Sequence, residues 1–173
     1  TESTNLPWQD CAALVKADPN IIFWHHWPDA RMHNLAEKGD GYRVLAKEAA
    51  EVLMGDEFWA FIKKLATGRR LVITADHGYS NPALFPDICP TDQKEYLKKQ
   101  FKSGRNNELK DAKPVQHWVP PLSQVLKTQH GNWNLVLGRK KWRSQGGYPS
   151  LTHGGLSLLE VAVPFIELSK SND

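Results

Sequence analysis

Asp76-His77-Gly78 follows Leu71-Val72-Ile73-Thr74-Ala75 directly, so two side chains able to ligate a metal stand at the end of an apolar, β-branched run. A short run of this kind bounded by glycine predicts a strand covered on both faces, as in a parallel sheet, and ligands in open α/β sheets collect where such strands end. The triplet alone is a weak pattern, because Asp76 also suits a turn cap and His77 the surface. Residues 20–26 form a second apolar run, followed by Trp27-Pro28-Asp29-Ala30-Arg31-Met32-His33, in which Asp29 and His33 stand four apart. A helical turn entered at Pro28 places positions i and i+4 on one face, where a carboxylate and an imidazole can converge on one cation. Far downstream, His153 precedes Gly154-Gly155, where backbone can pass close to a ligand.

Asp29, His33 and His153 then form a set of two imidazoles and one carboxylate. With an open position the set suits a catalytic zinc. It equally suits a non-haem ferrous site, so the ligand types leave the metal open. Asp76 and His77 form a second, incomplete pair. Two ions about 3.5 to 4 Å apart would clamp an in-line phosphoryl displacement.

In this order the residues resemble the alkaline phosphatase superfamily and, within it, the PglZ-type domain found in bacterial phage-defence systems and some signalling proteins. The family order is an Asp-x-x-x-His pair after one strand, Asp-His after the next, and a late His. Asp29 and His33 match the first element and Asp76-His77-Gly78 the second. The run from Thr152-His153-Gly154-Gly155-Leu156-Ser157 to Val163-Pro164-Phe165 matches the PglZ-type ending, the most specific of the three. The resemblance spans residues 20–168. It implies a metal-dependent phosphatase or phosphodiesterase acting on a phosphomonoester, a nucleotide or nucleic acid. Two divalent ions are implied, zinc first and manganese second, on Asp29, His33, Asp76, His77 and His153. Protein partners in a multi-component bacterial system are implied as well.

Members of the superfamily also carry an earlier strand-end Asp and a Ser or Thr nucleophile. Residues 1–18 lack a strand ending in Asp with a nucleophile turn after it, and the chain opens on Thr1. The expectation is a C-terminal portion of such a domain, or a naturally short relative, with the nucleophile outside this chain and the isolated chain inactive. Ser80, Thr152 and Ser157 are the hydroxyls nearest the motifs, and no Gly-x-Ser-x-Gly turn surrounds any of them. The rival reading is a catalytically inactive interaction or regulatory module. A ferrous oxygenase on Asp29, His33 and His153 is a third, and it leaves Asp76-His77 unexplained.

These residues need elements to position them. The pattern predicts an α/β fold with a mostly parallel sheet flanked by helices in a single domain over residues 1–173, and the resemblance implies that it is alkaline-phosphatase-like and a partial core. Residues 40–64 carry apolar positions at helical spacing, and Gly55-Asp56 divides them into two helices before the Leu71 strand. Residues 81–121 turn rich in Pro, Asn and charge, which suggests an insertion or lid with a helix over 92–101 and an exposed polar stretch over 102–113. Strands are expected over 116–122 and 134–138 with a helix over 123–129 between them, and residues 161–168 close the sheet. Arg139-Lys140-Lys141-Trp142-Arg143 interleaves base and aromatic just before the His153 motif. Such a cluster could bind phosphate, with Arg139 and Arg143 as candidate contacts, or stack on a base, against the more frequent reading of a solvated basic loop. The Trp residues in general read as core and interface filler.

Among the histidines, His25 and His26 read as packing or rim residues, and His117 and His130 are given no role. A composition of 40 % hydrophobic and 24 % charged residues fits an ordinary globular chain, and the net charge of +3 mildly favours anionic substrates. Cys11 and Cys89 lack Cys-x-x-Cys spacing, which points to a reduced, cytoplasmic protein without a disulfide framework. No apolar run approaches the roughly 20 residues of a membrane span. Loops of the Gly-x-x-x-x-Gly-Lys type are absent, against an ATP-driven motor.

Overall fold

The computed structural model describes residues 1–36, 41–102, 104–111, 118–144 and 151–169. The chain begins with strand β1 (Glu2–Thr4), helix α1 (Trp8–Cys11) running into a 3-10 turn, strand β2 (Phe23–His25) and helix α2 (Asp29–Ala36). β1 and β2 pair in parallel, with Glu2 opposite Phe23 and Thr4 opposite His25. Residues 1–18 thus contain a strand, ending on Thr4. Helix α2 starts where Pro28 predicts, and the Met32 N–H donates to the Pro28 carbonyl at 2.9 Å.

Helices α3 (Gly41–Met54) and α4 (Asp56–Ala66) divide at Gly55, as expected, although Asp40 lies outside the described residues. In α4, Phe58, Phe61, Ile62 and Leu65 fall at i, i+3, i+4 and i+7 and are all buried, one stripe of a helix. Asp56 and Glu57 open that helix and Lys63 and Lys64 close it, each charge opposing the nearby helix dipole. Strand β3 (Leu71–Thr74) follows, then α5 (Thr91–Phe101), β4 (Asn106–Leu109), β5 (Ser123–Thr128), β6 (Gly131–Val136), α6 (Leu158–Val161) and β7 (Phe165–Leu168).

Three apolar clusters join these elements. Cys11 and the α4 stripe form the first, with Trp8, Phe23, Ile73 and Leu168 against it. Met32 and Leu35 of α2 meet Leu45 of α3 and Leu151 in the second, which anchors the His153 loop to the helix carrying Asp29. Ile88, Tyr96, Leu97, Phe101, Leu122, Val136 and Trp142 form the third, joining α5 to β6. Each such side chain fully removed from water contributes about 1.5–3 kcal/mol.

The mostly parallel sheet expected from the sequence is not what forms. Among the described residues the strands make three small sheets, β1-β2, β3-β7 and β4-β6-β5, and only the first is parallel. β7 runs back along β3, with Leu71 opposite Leu168 and Thr74 opposite Phe165. Apolar β-branched runs announce a strand but carry no information on the direction of its neighbour. β3 is only partly buried, because a single narrow strand pairs with it.

The helix expected over 123–129 is instead β5, joined to β6 by a tight hairpin that closes with Thr128 opposite Gly131. Gly131 adopts φ 141°, a conformation that favours glycine, and the Thr128 hydroxyl accepts from the His130 N–H. Of the strand expected over 116–122, residues 116–117 lie outside the described residues, as does His117, and residues 118–122 form no strand. Pro120 and Pro121 have no N–H to offer a ladder. The stretch over 102–113, expected to be exposed, contains β4 and the buried Arg105; residues 103, 112 and 113 lie outside the described residues. Among the described residues no helix is long and apolar enough to cross a membrane.

Candidate metal centre

Asp29 opens α2, His77 follows β3, and His153 sits in the loop before α6. One carboxylate oxygen of Asp29, Oδ1, faces two imidazoles, at 3.8 Å from His77 Nε2 and 3.7 Å from His153 Nε2. The ligand atoms of Asp29, His77 and His153 all lie within 4.8 Å of one another. The two rings stack with centroids 4.0 Å apart and planes 10° from parallel, so both nitrogens present to the same side. Oδ2 of Asp29 faces His33 Nε2 at 3.4 Å, and His77 Nε2 also lies 3.7 Å from Asp76 Oδ2. The structure therefore brings together all five candidate ligands, in a grouping that differs from the sequence expectation. His77 joins Asp29 and His153, while His33 takes the outer oxygen of Asp29.

Asp29 Oδ1 is buried and has no hydrogen-bond partner, although the side chain as a whole is 42 % exposed. A buried acceptor without a donor costs about 1–3 kcal/mol. Donors bound tetrahedrally at about 2.0–2.1 Å stand roughly 3.3 Å apart, close to the separations seen at Asp29. An oxygen starved of donors and two imidazole nitrogens at this spacing fit a divalent cation better than they fit one another.

The histidines are prepared for that role. His77 Nδ1 donates to the Gly78 carbonyl at 3.1 Å, which in the neutral ring leaves the Nε2 lone pair toward Asp29. Burial, followed by repulsion from His77, holds the His153 pKa below the ordinary histidine value. Tyr79, edge-on to His77, has its hydroxyl pushed up to about 12, by burial first and then by Asp29 and Asp76.

Two loops must meet for this cluster to exist, and backbone pairing joins them. Ser80 and Thr152 exchange N–H to carbonyl bonds at 2.8 and 3.0 Å, and the Gly78 N–H donates to the Glu160 carbonyl at 2.8 Å. A side chain at Gly78 would run into the carbonyls of Leu159 and Ala162, so the Gly of Asp-His-Gly is required by packing. Beneath the His153 loop, Arg105 Nε donates to Glu160 Oε1 at 2.6 Å, both side chains almost fully buried. Glu160 also accepts from the Gly155 N–H at 3.0 Å and from the Ser157 N–H and hydroxyl at 3.2 and 2.6 Å. Arg105 completes the lock by donating to the carbonyls of Gly138 and Lys140 at 2.7 and 3.2 Å. A Cβ on Gly155 would press on Arg105 and Glu160. The sequence reading missed both charged residues. The Ser157-x-x-Glu160 spacing is a capping-box signature and does signal Glu160, whereas Arg105 lies in a polar run with nothing local to mark it.

The remaining candidates lie elsewhere. Arg139 places its guanidinium 5.5 Å over Phe85, a ring it shares with Arg105, and Arg143 is exposed. Among the described residues no ion pair links either arginine to Asp29 or Asp76. Trp142 is buried with its indole N–H on the Lys102 carbonyl, so it packs the core and offers no stacking surface. His25 packs on Trp8 at 4.0 Å, donates from Nε2 to the Leu6 carbonyl and accepts the Trp27 N–H at Nδ1, a packing residue with both nitrogens engaged.

No curated protein and no solved structure matches the chain. A family model described as the BREX system PglZ alkaline phosphatase-like domain matches residues 3–168. With nearly its whole length so covered, and its Asp and His motifs converging, this chain belongs to the PglZ alkaline-phosphatase-like domain family.

Proposed function

We propose that this chain is the metal-holding part of a phosphoester hydrolase, acting on a phosphomonoester or on a phosphodiester such as a nucleotide. Membership of an alkaline-phosphatase-like family supports the reaction class. The observation that carries the metal dependence is Asp29 Oδ1, a buried carboxylate oxygen with no donor of its own and two imidazole nitrogens beside it. Asp29, His77 and His153 would hold one ion, with His33 and Asp76 at hand for a second. Zinc or manganese suits this mixture of imidazole and carboxylate.

Ions held by these residues would supply positive charge to offset that of a phosphoryl group and Lewis-acid activation of an oxygen nucleophile. The chain's own residues prepare for this. His77 is held in one tautomer by the Gly78 carbonyl, and burial lowers the His153 pKa, which favours its neutral form. Tyr79 keeps its proton and stands as a neutral wall of the site. The nucleophile is assigned to none of the hydroxyls nearest the motifs. Ser80 and Thr152 donate to backbone carbonyls, and Ser157 donates to Glu160. Their engagement favours a second reading, a metal-binding interaction module of the same family. The system named in the family description supports protein partners in a multi-component bacterial assembly, and we place the domain in phage defence on that ground.

Hydrolysis of bis-p-nitrophenyl phosphate and p-nitrophenyl phosphate decides between the readings, assayed on the chain alone and within any longer polypeptide that carries it. Zinc- or manganese-dependent turnover, abolished by chelation and reduced at least about 100-fold by His153→Ala, is the expected result. No turnover in either form would leave the interaction module.

A further inference from the structure

A pocket of about 360 Å³ opens beside α1, α3 and α4, lined by none of the candidate metal ligands and unused by the proposed hydrolysis. Trp8, Trp27 and Phe58 give it aromatic walls, and Glu48, Glu51 and Glu57 give it carboxylates. Its size is at the small end of ligand sites, enough for a single side chain or a small molecule. Indole and phenyl faces attract cations within about 6 Å through the ring quadrupole, and indole does so best. Their meeting in one cavity with carboxylates is the pattern that recognises an organic cation.

The charges already present do not cancel those carboxylates. Glu48 is held bidentately by Arg31 at 2.7 and 2.8 Å, a pair that is neutral in itself. Among the described residues Glu51 pairs with Lys47 at 3.7 Å, with both side chains well exposed, and such a pair is weak and screened. Glu57 opens α4 beside the uncharged side-chain amide of Gln9. With Glu48 matched by Arg31 and Glu51 partly offset by Lys47, Glu57 leaves net negative charge at the mouth of an aromatic cavity, on a chain whose overall charge is +3.

We infer that this pocket binds an organic cation, an alkylammonium or guanidinium group, carried by a free amine or by a Lys or Arg side chain of a partner protein. The aromatic walls hold the apolar stem and the charged head sits against Glu51 and Glu57. The inference stands independently of whether the metal cluster hydrolyses phosphoesters.

Two-dimensional ¹H–¹⁵N NMR of the chain tests it through the indole N–H signals of Trp8 and Trp27. N-acetyl-lysine methylamide is expected to shift both saturably, and its uncharged counterpart N-acetyl-norleucine methylamide neither. The double variant E51Q/E57Q, altered only at exposed positions, is expected to bind the lysine derivative at least about tenfold more weakly with the rest of the spectrum unchanged. A Gly/Ser peptide with one central Lys identifies the source. Binding about tenfold tighter than the free derivative assigns a partner's side chain, and equal binding assigns a free amine. Equal shifts from the norleucine derivative, no indole shift from the lysine derivative, or unchanged affinity in E51Q/E57Q would each overturn the inference.

Discussion

Asp29 splits its carboxylate between two surroundings, one oxygen enclosed between His77 and His153 and the other turned outward to His33. The enclosed oxygen depends on a loop that a second carboxylate, Glu160, holds in place. Replacing Glu160 by Gln leaves the Arg105 guanidinium buried without its counter-charge, and breaking a buried pair in this way costs about 3–5 kcal/mol. A urea denaturation midpoint lowered to that extent is expected, and a change under about 1 kcal/mol would show that the pair does not hold the loop. The five Asp and His candidates were readable because each lies in a local motif whose spacing has a chemical meaning. Their grouping was not, since which imidazole faces which oxygen of Asp29 is set by packing of α2 against Leu151 and by the Ser80–Thr152 bridge. Arg105 was hidden for the same reason, a charged side chain whose partner lies 55 residues away.

Helices were easier to anticipate than sheets. The stripe of Phe58, Phe61, Ile62 and Leu65 and the break at Gly55 are local features, α3 and α4 formed where the periodicity placed them, and α5 formed close to the helix expected over 92–101. Strand direction depends on distant partners, so β3 paired antiparallel with β7 against expectation, and β5 emerged from a segment too short to declare its period. The β3–β7 pair matters to the site because the turn leaving β3 is pinned to α6 through Gly78 and Glu160. Gly78→Ala would drive a methyl group into two backbone carbonyls that side-chain rotation cannot relieve. Overpacking of this kind costs about 1–3 kcal/mol, so a clear drop in thermal midpoint is expected together with weaker metal binding. A thermal midpoint equal to wild type would mean that the α6 turn yields freely.

Taken together, the two ends of the chain respond to protons in the same direction. Burial lowers the pKa of both His25, packed on Trp8, and His153, in the metal cluster, from the ordinary value of 6.5. Between those lowered values and 6.5 the unfolded chain binds more protons than the native one. Stability is then fully present above pH 6.5 and is lost as pH falls below it toward the folded-state values. Denaturation midpoints measured from pH 8 down to about 5 should stay level and then decline; a midpoint that rises on acidification would contradict the two lowered values. Metal binding selects the folded form and should raise the whole curve, by an amount set by free metal relative to its dissociation constant. The most direct test is zinc content and affinity of the purified protein, by elemental analysis and calorimetric titration, in wild type and in Asp29→Asn, His77→Ala, His153→Ala and His33→Ala. Retained zinc in wild type is expected, with affinity lost at least about 100-fold in the first three variants and less in His33→Ala. Wild-type zinc content and affinity in Asp29→Asn would contradict the metal centre at its root.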